Sequence, residues 1–123
     1  NACNLNCLHC YHPHHKNINP LTFDELIQIL IQYKTFISKY NYKPMVIISG
    51  GEPLASVHLD KLIKYISLEI PNCKLTIHTN GTLITDSDIS FFKRHKVSIA
   101  TTIYAANDAA HQVVIARQQR NPK

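Results

Sequence analysis

Three cysteines crowd the first ten positions of this 123-residue chain, as Cys3-Asn4-Leu5-Asn6-Cys7-Leu8-His9-Cys10. The spacing is C-x3-C-x2-C, and thiolates so close together read as ligands of one metal centre. Three thiolates are one short of the four that close a cubane iron–sulfur cluster. The iron without a protein ligand is left open, and an open metal position is where chemistry happens. The same thiolates, completed by His9, His12, His14 or His15, would make a structural zinc site. A fourth cysteine, Cys73, stands alone before an apolar run and reads as a small buried hydrophobe.

Two more segments carry possible chemistry: Ser49-Gly50-Gly51-Glu52-Pro53-Leu54 and Thr79-Asn80-Gly81-Thr82. Glycines at 50 and 51 let the backbone come close to a ligand, and their carbonyls can accept from an amino group. Taken alone, the first segment is a strand-to-helix turn, with Glu52 favoured by a helix N-terminus. The second alone is only a turn.

The elements that must position these residues are legible in order. Residues 1–20 form a loop rich in Asn, His and Pro. Thr22-Phe23-Asp24-Glu25 is a capping box. It opens a helix whose apolar face runs through Phe23, Leu26, Ile27, Leu30 and Ile37. Met45-Val46-Ile47-Ile48 is a buried strand. Leu59, Leu62, Ile63, Ile66 and Ile70 mark a second helix, stopped by Pro71. Lys74 to His78 is the next strand, about Asp86 to Lys93 a third helix capped by Thr85, Val97 to Ile103 a strand, and about Asp108 to Arg117 a fourth helix. Alternating helices and strands imply an α/β fold, a parallel sheet with right-handed crossovers. The informative loops, 49–54, 79–82 and 104–108, all follow strands. Sites in such sheets and barrels sit at the carboxyl ends of the strands, so these loops share one rim.

Hydrophobic content is 45%, and the net charge is +5. The basic residues are scattered, as a solvated surface has them, so no nucleic-acid partner is expected. No apolar run reaches membrane-spanning length. Clustered free thiolates imply a reducing compartment, the cytoplasm. The chain begins at Asn1 and ends in a polar run; we read it as one domain and a piece of a longer protein.

Together these motifs resemble the radical S-adenosylmethionine (radical SAM) superfamily. The cysteine loop resembles that family's C-x3-C-x-Φ-C motif, with His9 at the usually aromatic place. Gly50-Gly51-Glu52-Pro53 resembles its GGEP motif, and Thr79-Asn80-Gly81 its TNG motif. Thr102-Ile103-Tyr104, followed by His111, resembles the segment after the fourth strand. Cys7-Leu8-His9-Cys10-Tyr11 resembles the branch that modifies peptides or builds peptide-derived cofactors. Ile115 stands where many members have Arg, with Arg117 two residues on. The resemblance implies a partial (β/α) TIM-like barrel, about half of a (β/α)6 core, with the first strand and the C-terminal half missing.

It also implies a mechanism. Cys3, Cys7 and Cys10 would hold a [4Fe–4S] cluster, and S-adenosylmethionine would chelate its open iron. Reductive cleavage of the sulfonium would give a 5′-deoxyadenosyl radical that abstracts hydrogen from a substrate. Ser49, Gly50, Gly51, Glu52, Thr79 and Thr102 would form the ligand rim, and His9 would meet the adenine. Tyr11 would pack over the cluster, and His111 would be structural. A peptide or protein is the expected substrate, and a flavodoxin- or ferredoxin-like protein the electron donor. The alternatives are a member of the family acting on a haem- or molybdopterin-type precursor, and a metal-binding or electron-transfer module without such chemistry.

Overall fold

A computed structural model describes residues 3–5, 10, 20–103 and 106–107. Within them the order is α1 (Phe23–Tyr40), β1 (Met45–Ile48), a single 3-10 turn (Pro53–Ala55), α2 (Leu59–Glu69), β2 (Lys74–His78), α3 (Asp86–Arg94) and β3 (Ser98–Ala100).

The helices begin where local chemistry favours it. The Thr22 hydroxyl accepts from the Glu25 amide, and the Thr22 amide donates back to the Glu25 carboxylate at 2.7 Å. Thr85 and Asp88 make the same reciprocal pair at α3. Each box satisfies two N–H groups, one in the first turn and one at the cap itself. Helix α1 ends at Asn41, whose φ of 53° is left-handed, a conformation Asn tolerates better than most residues.

The three strands lie in the order β1-β2-β3, both pairs parallel. Val46 is opposite Leu75, Ile48 opposite Ile77, and His78 opposite Ala100. Along β2, Leu75 and Ile77 are buried while Lys74 and His78 are exposed. The buried side meets Leu30 and Ile37 of α1, Leu62, Ile63 and Ile66 of α2, and Phe92 of α3. The helices therefore cover one face of the sheet. On the other, Met45 and Ile47 are half exposed. The Tyr33 hydroxyl donates to the Met45 carbonyl at 2.9 Å and accepts from its N–H at 2.8 Å, which ties α1 to the start of β1. Lys34 and Glu69 pair at 3.1 Å across α1 and α2. Exposed pairs of this kind contribute about 0–1 kcal/mol, so the apolar layer is what joins the helices.

The expected α/β class and parallel strands are present, as an open sheet consistent with part of a (β/α) barrel. Strand β3 is shorter than the run from Val97 to Ile103. Its partner ends first: the Thr79 amide still donates to Ala100 at 3.1 Å, but the chain then turns away through Asn80 and Gly81. Beyond Ala100 no described residue continues the ladder on that side, so Thr101, Thr102 and Ile103 lie outside the strand. The expected fourth helix lies outside the described residues. Among the described residues, no helix is long and apolar enough to cross a membrane.

Candidate cluster and ligand site

The segment after β1 is shaped by one glycine and one acid. Gly50 has a φ of 149°, which residues with a side chain rarely adopt. A Cβ placed there would meet nothing within 4 Å. Backbone conformation, not crowding, therefore calls for glycine here, and the space beside it is open to a ligand. Two residues on, Glu52 is buried at 2% exposure. Its Oε1 accepts from the Leu54 amide at 3.0 Å and from the Thr79 hydroxyl at 2.6 Å. Its Oε2 accepts from the Asn80 amide at 2.9 Å. The first bond caps the 3-10 turn; the other two cross from the end of β1 to the end of β2.

The second turn is equally constrained. The Thr79 hydroxyl, also buried, accepts from the Gly81 amide at 3.0 Å. Gly81 has a φ of 78° and lies against Thr101, whose Oγ1 would stand 3.6 Å from an added Cβ. Asn80 Oδ1 accepts from the Thr82 amide at 2.9 Å and from the Thr82 hydroxyl at 2.6 Å. Asn80 Nδ2 donates to Asn4 Oδ1 at 3.0 Å, and Asn4 Nδ2 donates to Thr82 Oγ1 at 2.8 Å. The cysteine loop, the Ser49–Leu54 segment and the Thr79–Thr82 turn are thus hydrogen-bonded into one rim.

Cys3 and Cys10 are exposed free thiols on that loop. Cys7 and His9 lie outside the described residues, as do Tyr11, His12, His14, His15, His111 and Arg117. No complete metal-ligand cluster is found among the described residues. The donor set nonetheless fits an iron–sulfur group, since its two described members are free, exposed thiols. Cys73 packs against the apolar core. Burial pushes its thiol pKa up, and a hydrogen bond with the Val46 backbone offsets part of that.

The expected rim residues separate into two groups. Ser49 and Thr102 are exposed, and Gly51 is partly buried. Glu52 and Thr79 are buried and spend their polar atoms on each other and on neighbouring amides. Asn4 was not expected at the site, and the 79–82 loop was expected on the rim without a role for the Asn80 and Thr82 side chains. They carry no signal of partnership, because Asn4 and Asn80 are 76 positions apart. His78 also stands beside the small residue Ala100, on the sheet face that no described helix covers; only strand alternation hints at that. A cavity of about 350 Å³ lies behind the rim, where Gly50 and Ser49 meet Leu26, Leu59 and Leu62.

A family model described as the Radical SAM superfamily matches residues 1–122. An uncharacterized protein of Methanocaldococcus jannaschii is 29% identical over 108 residues, 84% of this chain and 35% of that protein. The AdoMet-dependent heme synthase of Methanosarcina barkeri is 31% identical over 115 residues, 89% of this chain and 30% of that protein. The chain spans about a third of the length of these relatives. No solved structure matches it.

Proposed function

The chain belongs to the radical SAM superfamily, and from that premise we propose that the protein is an enzyme that abstracts hydrogen from its substrate by radical chemistry. The supporting observation is the single rim that joins the cysteine loop to the two strand-end turns through Asn4, Asn80 and Glu52. Cys3, Cys7 and Cys10 would hold a [4Fe–4S] cluster. When bound, that cluster and S-adenosylmethionine supply the 5′-deoxyadenosyl radical. Ser49, Gly50, Gly51 and Thr102 would present backbone and hydroxyl groups to the ligand, with His9 beside the adenine. Glu52 and Thr79 would act from beneath, holding the two turns at a fixed separation. A flavodoxin- or ferredoxin-like donor would deliver the electron, and clustered free thiols suit a reducing cytoplasm.

Two substrate classes are supported by different observations. The Cys7-Leu8-His9-Cys10-Tyr11 run favours a peptide or protein being modified. Similarity to a heme synthase favours a haem-type precursor equally. Anaerobic reconstitution of the intact protein should give about four irons and four sulfides per chain. S-adenosylmethionine should then perturb the cluster's electron paramagnetic resonance. Changing Cys73 to Ala should leave the iron content unaltered. Tight zinc without iron uptake would refute the assignment. Substrate class is read by which addition, peptide or tetrapyrrole, accelerates 5′-deoxyadenosine release.

A further inference from the structure

Asn4 uses both ends of its carboxamide, and the orientation of that group is determined by the bonds around it. The Thr82 backbone N–H can only donate, so the Asn80 atom 2.9 Å away must be oxygen. Asn80 therefore turns its NH2 toward Asn4, which must present its own oxygen at 3.0 Å. The Asn4 NH2 is left to donate to the Thr82 hydroxyl at 2.8 Å, and that hydroxyl donates on to Asn80 Oδ1 at 2.6 Å. The bonds close head to tail into a ring of Asn4, Thr82 and Asn80, an arrangement in which each bond polarises the next. Below the ring, the Asn80 amide is held by buried Glu52. Beside it, Leu5 is buried at 6% exposure. The backbone at Asn4 and Leu5 is thereby fixed to the rim while the neighbouring Cys3 thiol stays exposed.

The ring itself is exposed to solvent. A typical hydrogen bond contributes about 0.5–1.5 kcal/mol net to stability, and Leu5 burial would survive loss of the Asn4 side chain. Stability is thus a small part of what the ring does. Its larger effect is on position, because it ties the thiolate loop to the Thr79–Thr82 turn, which Glu52 in turn holds to the end of β1. Resting on the radical SAM reading, we propose that Asn4 is a positioning residue. It latches the cysteine loop to the Thr79–Thr82 turn, so that the cluster's open iron meets a ligand already seated on the rim. Partners of metal ligands that act in this way change metal affinity or activity by about 10–100-fold when removed.

The test uses the intact protein, reconstituted anaerobically, as parent, Asn4→Ala, Thr82→Val and the double variant. Thr82→Val keeps the turn's shape and leaves the cysteine loop untouched, so it reports on the ring even if Asn4→Ala misfolds. Two readouts are taken: iron release to a chelator, and the S-adenosylmethionine concentration that half-converts the cluster's resonance signal. Each single variant should take up iron, release it about tenfold faster and need about tenfold more S-adenosylmethionine. The double variant should be no worse than Asn4→Ala, because both changes open one ring. Single variants that match the parent in both readouts would overturn the latch alone, and so would additive losses in the double variant. A parent that takes up no iron would overturn the latch together with the functional reading beneath it.

Discussion

Glu52 connects the two turns through two hydrogen bonds, and a third holds its own turn. Three donors converge on its two oxygens, and its surroundings offer almost no water at 2% exposure. Glu52→Gln keeps the volume but replaces an acceptor by a donor, which must then face the Asn80 amide or the Leu54 and Thr79 pair. Leaving a buried polar group unsatisfied costs about 1–3 kcal/mol. Denaturant unfolding of the intact protein should show a loss of that size. The variant's cluster should also respond more weakly to S-adenosylmethionine, since the turn carrying Asn80 is released. A variant as stable as the parent would mean that water replaces the lost bond.

At the scale of elements, the start of α1 is chemically specified and responds to pH. The Thr22 amide, and then the Thr22 hydroxyl, donate to the Glu25 carboxylate and hold its pKa below the ordinary value. A depressed carboxylate pKa contributes stability that is present above the unfolded group's pKa and lost as pH falls through the folded one. The first turn of α1 should therefore fray selectively as the solution is acidified through the carboxylate range. Hydrogen exchange, corrected for its intrinsic pH dependence, should show falling protection at the Glu25 and Leu26 amides while the α2 amides keep theirs. Glu25→Gln should abolish that pH dependence. The reason is local, because α2 begins at His58 without a side-chain cap and has no carboxylate box to lose.

On the scale of the whole molecule, one sheet face carries the helices and, among the described residues, the other is uncovered. Met45 is 55% exposed and Ile47 50%. Among the described residues, β1 and β3 each pair only with β2, so each leaves one edge of ladder groups unmatched. Parallel sheets are ordinarily covered on both faces, and bare edges recruit other chains. Residues 1–123 expressed alone should therefore self-associate, and light scattering should show it at micromolar concentration. That polypeptide should also form 5′-deoxyadenosine far more slowly than the intact protein, because water reaches the open face and quenches radicals. A monomeric polypeptide with the intact protein's rate would show that the site needs much less of the barrel.

What the amino-acid order determined was everything local or periodic. The C-x3-C-x2-C spacing, the Thr22 and Thr85 boxes, the helical apolar stripes and the alternation of helix with strand all act within a few residues. Such short-range preferences are written directly into the chain. The rim was legible as a place, because strand ends in α/β folds point the same way. Its internal chemistry was not. Glu52 and Thr79 are 27 positions apart, and Asn4 and Asn80 are 76 apart. Their meeting depends on the register of β1 against β2, which the packed core sets and no short pattern encodes. Glu52 and Thr79 read as ligand groups in the chain; that they bond each other is visible only in the fold. Asn4, a neighbour of Cys3 without evident purpose in the sequence, became the link between the cysteine loop and the rim.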